Sequence, residues 1–132
     1  MTKMNPKSIK DRFNKLAKKG GEAIIRIEAE WHASGLEDRF GPWQDGKMAI
    51  CVFNGAVQEN TQILSITNVT EDKDGLTVNV RTGILGGPPS RPGHFSYPQD
   101  VKFVDASDKP VKFEYAGIVQ PLHRQTPPSR KR

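Results

Sequence analysis

Three histidines, His32, His94 and His123, and a single cysteine, Cys51, are the side chains of this sequence with the widest chemical reach. Imidazole exchanges protons near neutral pH, and a thiolate serves as nucleophile or metal ligand. Both chemistries need neighbours. A zinc centre requires several ligands at fixed spacings. None of the three histidines has a second histidine or a cysteine close to it in sequence, so no metal site is expected. Glu28, Glu30 and His32 alternate within "RIEAEWHA" and would share one face of a strand, as an acid–base pair or as ligands. An ordinary solvated strand face accounts for them equally. Ser90 and Ser96 flank His94, but the chain contains no G-x-S-x-G elbow, and neighbours within a loop do not make a triad. Cys51 sits in the apolar run "MAICVF", which predicts a buried and inert thiol. "GILGGPPSRPG" is rich in glycine, yet no G-K-[ST] follows it, and its prolines remove the N–H groups of a phosphate cradle. The expectation is therefore a protein without catalysis, cofactor or small-molecule ligand.

Charge carries more information. The net charge is +5 over 132 residues. Residues 1–21 hold seven basic side chains against Asp11, a balance of +6, and residues 118–132 hold four basic side chains and no acid, +4. The body between them is left with −5. Basic ends on a mildly acidic body suit an acidic partner surface, whether protein or nucleic acid. The residues that would make such contacts are Lys7, Lys10, Arg12, Lys15, Lys18 and Lys19 at one end and Arg130, Lys131 and Arg132 at the other.

The elements that must position these groups are legible in part. Asn5 and Pro6 suit the start of a helix, and Ile9, Phe13, Leu16 and Ala17 recur on one of its faces until Gly20 and Gly21 end it. "AIIRIEAEWHA" alternates and predicts a strand with Ile25, Ile27, Ala29 and Trp31 inward. "SGLEDRFGPWQDGK" follows as a polar loop anchored by Phe40 and Trp43. "KMAICVFNG" is apolar on both faces and belongs in the middle of a sheet. "TQILSITNVT" and "LTVNVRT" form a hairpin around Asp74-Gly75, with Leu76, Val78 and Val80 inward. "VKFVD" and "VKFEY" are two further strands, turned by "ASDKP".

About six short strands with turns between them predict an all-β barrel or sandwich with one amphipathic N-terminal helix; an α+β roll, its helix lying across a sheet face, is the alternative. The division is a basic helix over 1–21, a β domain over 22–117 and a basic, proline-containing tail over 118–132. No apolar stretch is long enough for a membrane helix and no apolar leader core is visible, so a cytoplasmic setting, or a particle assembled there, is expected.

Four features in order, "VFNG", "ILSITNV", the hairpin "TEDKDGLTVNV" and a Pro/Gly-rich loop leading into "YPQDVKFVD", lie between Met48 and Tyr115. In this span the chain resembles the C-terminal domain of PrcB-type protease-complex stabilising proteins. The resemblance implies a small β domain that binds a partner and has no catalysis of its own. Where that family carries Thr-Gly-Gly-Tyr this chain reads "ENTQ", from Glu59 to Gln62, and no functional residue is transferred.

The loop "GGPPSRPGHFSYP" presents Arg91, His94, Phe95 and Tyr97 between two strands, with prolines that restrict its freedom. These four residues form the expected partner-binding loop. The functional expectation is a binding or assembly module that contacts protein or further copies of itself; a nucleic-acid-binding protein using its basic ends is the alternative.

Overall fold

The computed structural model describes residues 5–58, 62–84 and 93–118. Arg91, Arg130, Lys131 and Arg132 lie outside them, as does much of the glycine- and proline-rich loop. The chain is mostly β with an N-terminal helix, and its described strands close no barrel.

Helix α1 (Pro6–Lys19) starts as its sequence dictates. The Asn5 side chain accepts from the backbone N–H groups of Lys7 (2.9 Å) and Ser8 (3.3 Å), and Pro6 occupies the first turn, where its missing donor costs nothing. Phe13 is buried, with Ile9 and Leu16 packed beside it. The helix ends at Gly20, whose φ of 90° is a left-handed value. A side chain there would also stand 3.3 Å from the Asn54 backbone. Ala56 N–H donates to Lys18 O at 3.1 Å, so the end of α1 is bonded to the chain beyond β2.

β1 (Gly21–Ile25) pairs antiparallel with β2 (Lys47–Phe53), which pairs on its other side with β7 (Gln99–Asp105). β2 is thus central, as its two apolar faces predict. Ala49, Cys51 and Phe53 face a helical layer; Ile50 and Val52 face a second sheet. That second sheet runs β4 (Gln62–Glu71), β5 (Leu76–Ile84), β8 (Val111–Ile118). β4 and β5 form the expected hairpin, with Leu76, Val78 and Val80 buried. β7 and β8 do not pair with each other: residues 106–110 carry the chain from one sheet to the other, and β8 lies parallel to β5. A two-residue ribbon, β3 (Val57–Gln58) with β6 (Phe95–Ser96), completes the strands described.

Two corrections follow. The strand expected over "AIIRIEAEWHA" ends at Ile25, and Glu28–Ser34 is a helix, α2. Ile27, expected inward, is 54% exposed at its start, and Ala29 is exposed. Trp31 is in the core as expected, but it arrives there from a helix. Glu and Ala are good helix formers, acidic Glu28 and Glu30 suit a helix N-terminus, and Trp31 with Ser34 has the i, i+3 spacing of one helical face. The second correction lies in the polar loop, which contains a short helix, α3 (Glu37–Phe40). Its anchors behave as expected: Phe40 and Trp43 pack against the core. Trp31, Trp43 and Phe103 meet with ring centroids 5.1–6.3 Å apart, and Trp31 Nε1–H donates to Gly41 O at 3.0 Å.

Three layers result: helices, the β1–β2–β7 sheet and the β4–β5–β8 sheet. Two cores separate them. The first is built on Phe13, Ile25, Trp31, Cys51 and Phe53, the second on Ile50, Val52, Ile66, Val78 and Val80.

Candidate interaction surface

With both cores closed, the side chains left outside define what the molecule presents. Helix α1 is fixed by its apolar face, so its opposite face is basic by geometry. Lys7, Lys10, Lys15, Lys18 and Lys19 are all exposed, and none makes an ion pair among the described residues. Fourteen residues at 1.5 Å each make this a ridge of roughly 21 Å. Arg12 is used differently. It bonds Glu30 of α2 at 2.6 Å and lies over the Phe13 ring at 4.8 Å, so it ties two helices together. Lys10 Nζ lies beside Gly35, at the end of α2.

The loop residues His94, Phe95 and Tyr97 are exposed, and Phe95 stands on the β3–β6 ribbon. Phe95 is 54% and Tyr97 39% exposed, a large apolar surface to leave in water. Ile63 of β4, 39% exposed, lines the same depression as Tyr97. Sequence reasoning missed Ile63. Its signal was present in "QILSI", where an isoleucine occupies the polar side of an alternating strand.

The depression has a volume of about 340 Å³ and lies where the edges of the two sheets meet. β4 supplies Ile63 and Leu64, the approach to β7 supplies Tyr97 and Pro98, β7 supplies its first residue, Gln99, and α3 supplies Arg39. Two hydrogen bonds fix this seam. Asn54 Nδ2–H donates to Gln62 Oε1 at 2.7 Å, and the Ile66 N–H donates to Asp100 Oδ2 at 2.7 Å. The opposite seam carries the Tyr115 hydroxyl, which donates to Glu22 of β1. Burial raises the Tyr115 phenol above its ordinary range, and the Glu22 carboxylate adds to the effect.

The candidate chemical groups are placed as follows. His32 lies between two carboxylates, Nδ1 at 2.6 Å from Glu37 Oε1 and Nε2 at 3.2 Å from Glu28 Oε2. The hydrogen bond to Glu37, then that to Glu28, raises the imidazole pKa. Glu30 is not part of this group, because on a helix it faces Arg12. Cys51 is buried, and burial pushes its thiol up to about 12, so it is a neutral thiol at physiological pH. His94 is exposed, with Ser96 two residues on; Ser90 lies outside the described residues. Among the described residues no group of three or more histidine, cysteine or carboxylate side chains is arranged to hold a metal ion. No described helix is long and apolar enough to cross a membrane.

Compared with known families, curated proteins and solved structures, the chain matches no family model, no curated protein and no solved structure.

Proposed function

We propose that this protein is a non-enzymatic binding and assembly module whose partner is another protein or a further copy of itself. The observation that supports this most is the exposure of Phe95 and Tyr97 on and beside the β3–β6 ribbon, with Tyr97 lining the same depression as exposed Ile63. Aromatic side chains in such positions are the usual anchors of protein interfaces. The PrcB-type resemblance of Met48–Tyr115 points to the same class of role. Affinity capture with purified protein, together with sedimentation over a concentration series, tests the proposal. Phe95→Ser and Tyr97→Ser are expected to reduce capture or self-association by tenfold or more. A strict monomer that recovers no protein partner would end this reading.

A second reading has its own observation, the basic outer face of α1. Lysines on a docked helix form a fixed ridge that can meet a row of phosphates. In that reading the protein binds nucleic acid. With about four phosphate contacts, log affinity falls against log salt with a slope of about −3 to −4 on duplex DNA. Replacing Lys7, Lys15, Lys18 and Lys19 by glutamine is expected to abolish a low-salt gel shift. Absence of any shift with the unaltered protein would exclude it.

A further inference from the structure

We infer that the depression between β4 and β7 receives an acidic, apolar-flanked segment of a partner protein, with a carboxylate on Arg39 and the adjoining apolar side chain against Ile63 and Tyr97. This rests on the protein-binding reading above and specifies its chemistry. Residues far apart in sequence converge there: Arg39 from α3, Ile63 and Leu64 from β4, Tyr97 and Pro98 from the approach to β7, and Gln99 from the start of β7. The two bonds of the seam, Asn54 to Gln62 and Ile66 to Asp100, hold its walls in place without a ligand. A pre-formed concave site avoids part of the ordering cost of binding.

Charge decides the occupant. Arg39 has no ion-pair partner among the described residues; its guanidinium lies 5.4 Å from the Phe40 ring centroid. Of the nearby acids, Glu37 is bonded to His32 and Asp100 to the Ile66 N–H, while Asp38, next to Arg39 in sequence, is exposed and makes no ion pair with it among the described residues. No carboxylate is among the described lining residues. Guanidinium offers a planar fork suited to a carboxylate. The other described lining residues are apolar, amide or hydroxyl side chains, with no further cation among them. A nucleic-acid strand is tracked by a series of cations, and the described lining residues supply one, Arg39. The lysine ridge belongs to α1.

The probe is a blocked tetrapeptide alternating glutamate and leucine, titrated into the full chain labelled with ¹⁵N. Controls are the same peptide with glutamine for glutamate, and oligothymidine. Saturable shifts are expected at the amides of Arg39, Ile63, Leu64, Tyr97 and Gln99. The glutamine peptide is expected to bind at least tenfold more weakly. Arg39→Gln should weaken the glutamate peptide equally, and Arg39→Lys should retain part of the binding. Arg39 is exposed, and an unchanged spectrum elsewhere verifies that each variant is folded. Equal binding of both peptides, absence of saturable shifts at these amides, or oligothymidine shifting them in place of the peptide would each overturn the inference. If Phe95→Ser abolishes partner capture while Arg39→Gln changes neither capture nor peptide binding, carboxylate recognition falls and the interaction surface stands. If no variant affects capture or peptide binding, both fall.

Discussion

The Asp100 side chain accepts the backbone N–H of Ile66 at 2.7 Å, across the gap between the edges of two sheets. A strand edge presents unpaired donors that invite another strand. Here a carboxylate from the neighbouring sheet occupies one of them. The bond sits beside the irregular pairing between Ile66 and Asn68, where β4 shifts register against β5. Asp100→Ala should therefore leave a part-buried donor unsatisfied and cost about 1–2 kcal/mol. Urea denaturation measures the loss. The same variant should self-associate more readily by sedimentation, because its β4 edge is open to pairing.

Gly75 and Gly46 look alike in sequence but are constrained differently. Gly75 has no left-handed φ, yet a side chain there would stand 2.5 Å from Pro110 O. Gly46 has φ of 80° and open space around it. Gly75→Ala must push the hairpin away from residues 106–110, at a cost of about 1–3 kcal/mol. Gly46→Ala strains only its own backbone, at about 1 kcal/mol. Thermal melts of the two variants should rank them in that order, and Gly46→Asn should recover part of the smaller loss.

His32 makes stability depend on pH in a defined direction. Its folded-state pKa is raised above the ordinary 6.5 by Glu37 and then Glu28. The stabilisation is complete below the unfolded pKa and is lost as pH rises through the folded one. The melting temperature of His32→Gln, plotted as a difference from the parent protein, should thus be lower at pH 5.5 and converge as pH rises above neutrality. A pH-independent difference would show that the imidazolium between Glu28 and Glu37 does not contribute.

Cys51 should resist alkylation in the folded protein. It is buried, and burial holds its thiol near 12, so both access and thiolate are scarce. Iodoacetamide at pH 8 should label it only as fast as the domain opens, and at once in denaturant. Mass spectrometry over a time course separates the two regimes.

The parts of the fold readable in advance were those where local chemistry and tertiary packing agree. β2 is apolar on both faces because both faces are covered, and α1 carries a cap, a stripe and a stop in the right places. The hairpin was right in place but not in mechanism. Asp72 Oδ1 accepts from the N–H groups of Asp74 and Gly75, so an aspartate side chain organises the turn and Gly75 serves the contact with Pro110. "IEAEWHA" misled because its apolar residues fit a period of two while its burial follows helical spacing; the helix propensity of its Glu and Ala residues and the core that receives Trp31 together decide for the helix. Nothing local distinguishes β8 pairing with β5 from β8 pairing with β7, since that choice depends on which sheet edge is open. The candidate site divides along the same line. Phe95 and Tyr97 were legible as loop aromatics, whereas Arg39 and Ile63 become neighbours only through the seam.

β2 has a consequence for how the molecule comes apart. One strand is the shared wall of both cores, with Cys51 and Phe53 on one side and Ile50 and Val52 on the other. Losing the helical layer would expose half of that strand to water, and losing the β4–β5–β8 sheet would expose the other half. Neither half is a stable remainder, because β2 alone joins β1 to β7. The molecule should melt as one cooperative unit, and the lysine ridge of α1 cannot swing free as an arm without pulling Phe13 out and starting that collapse.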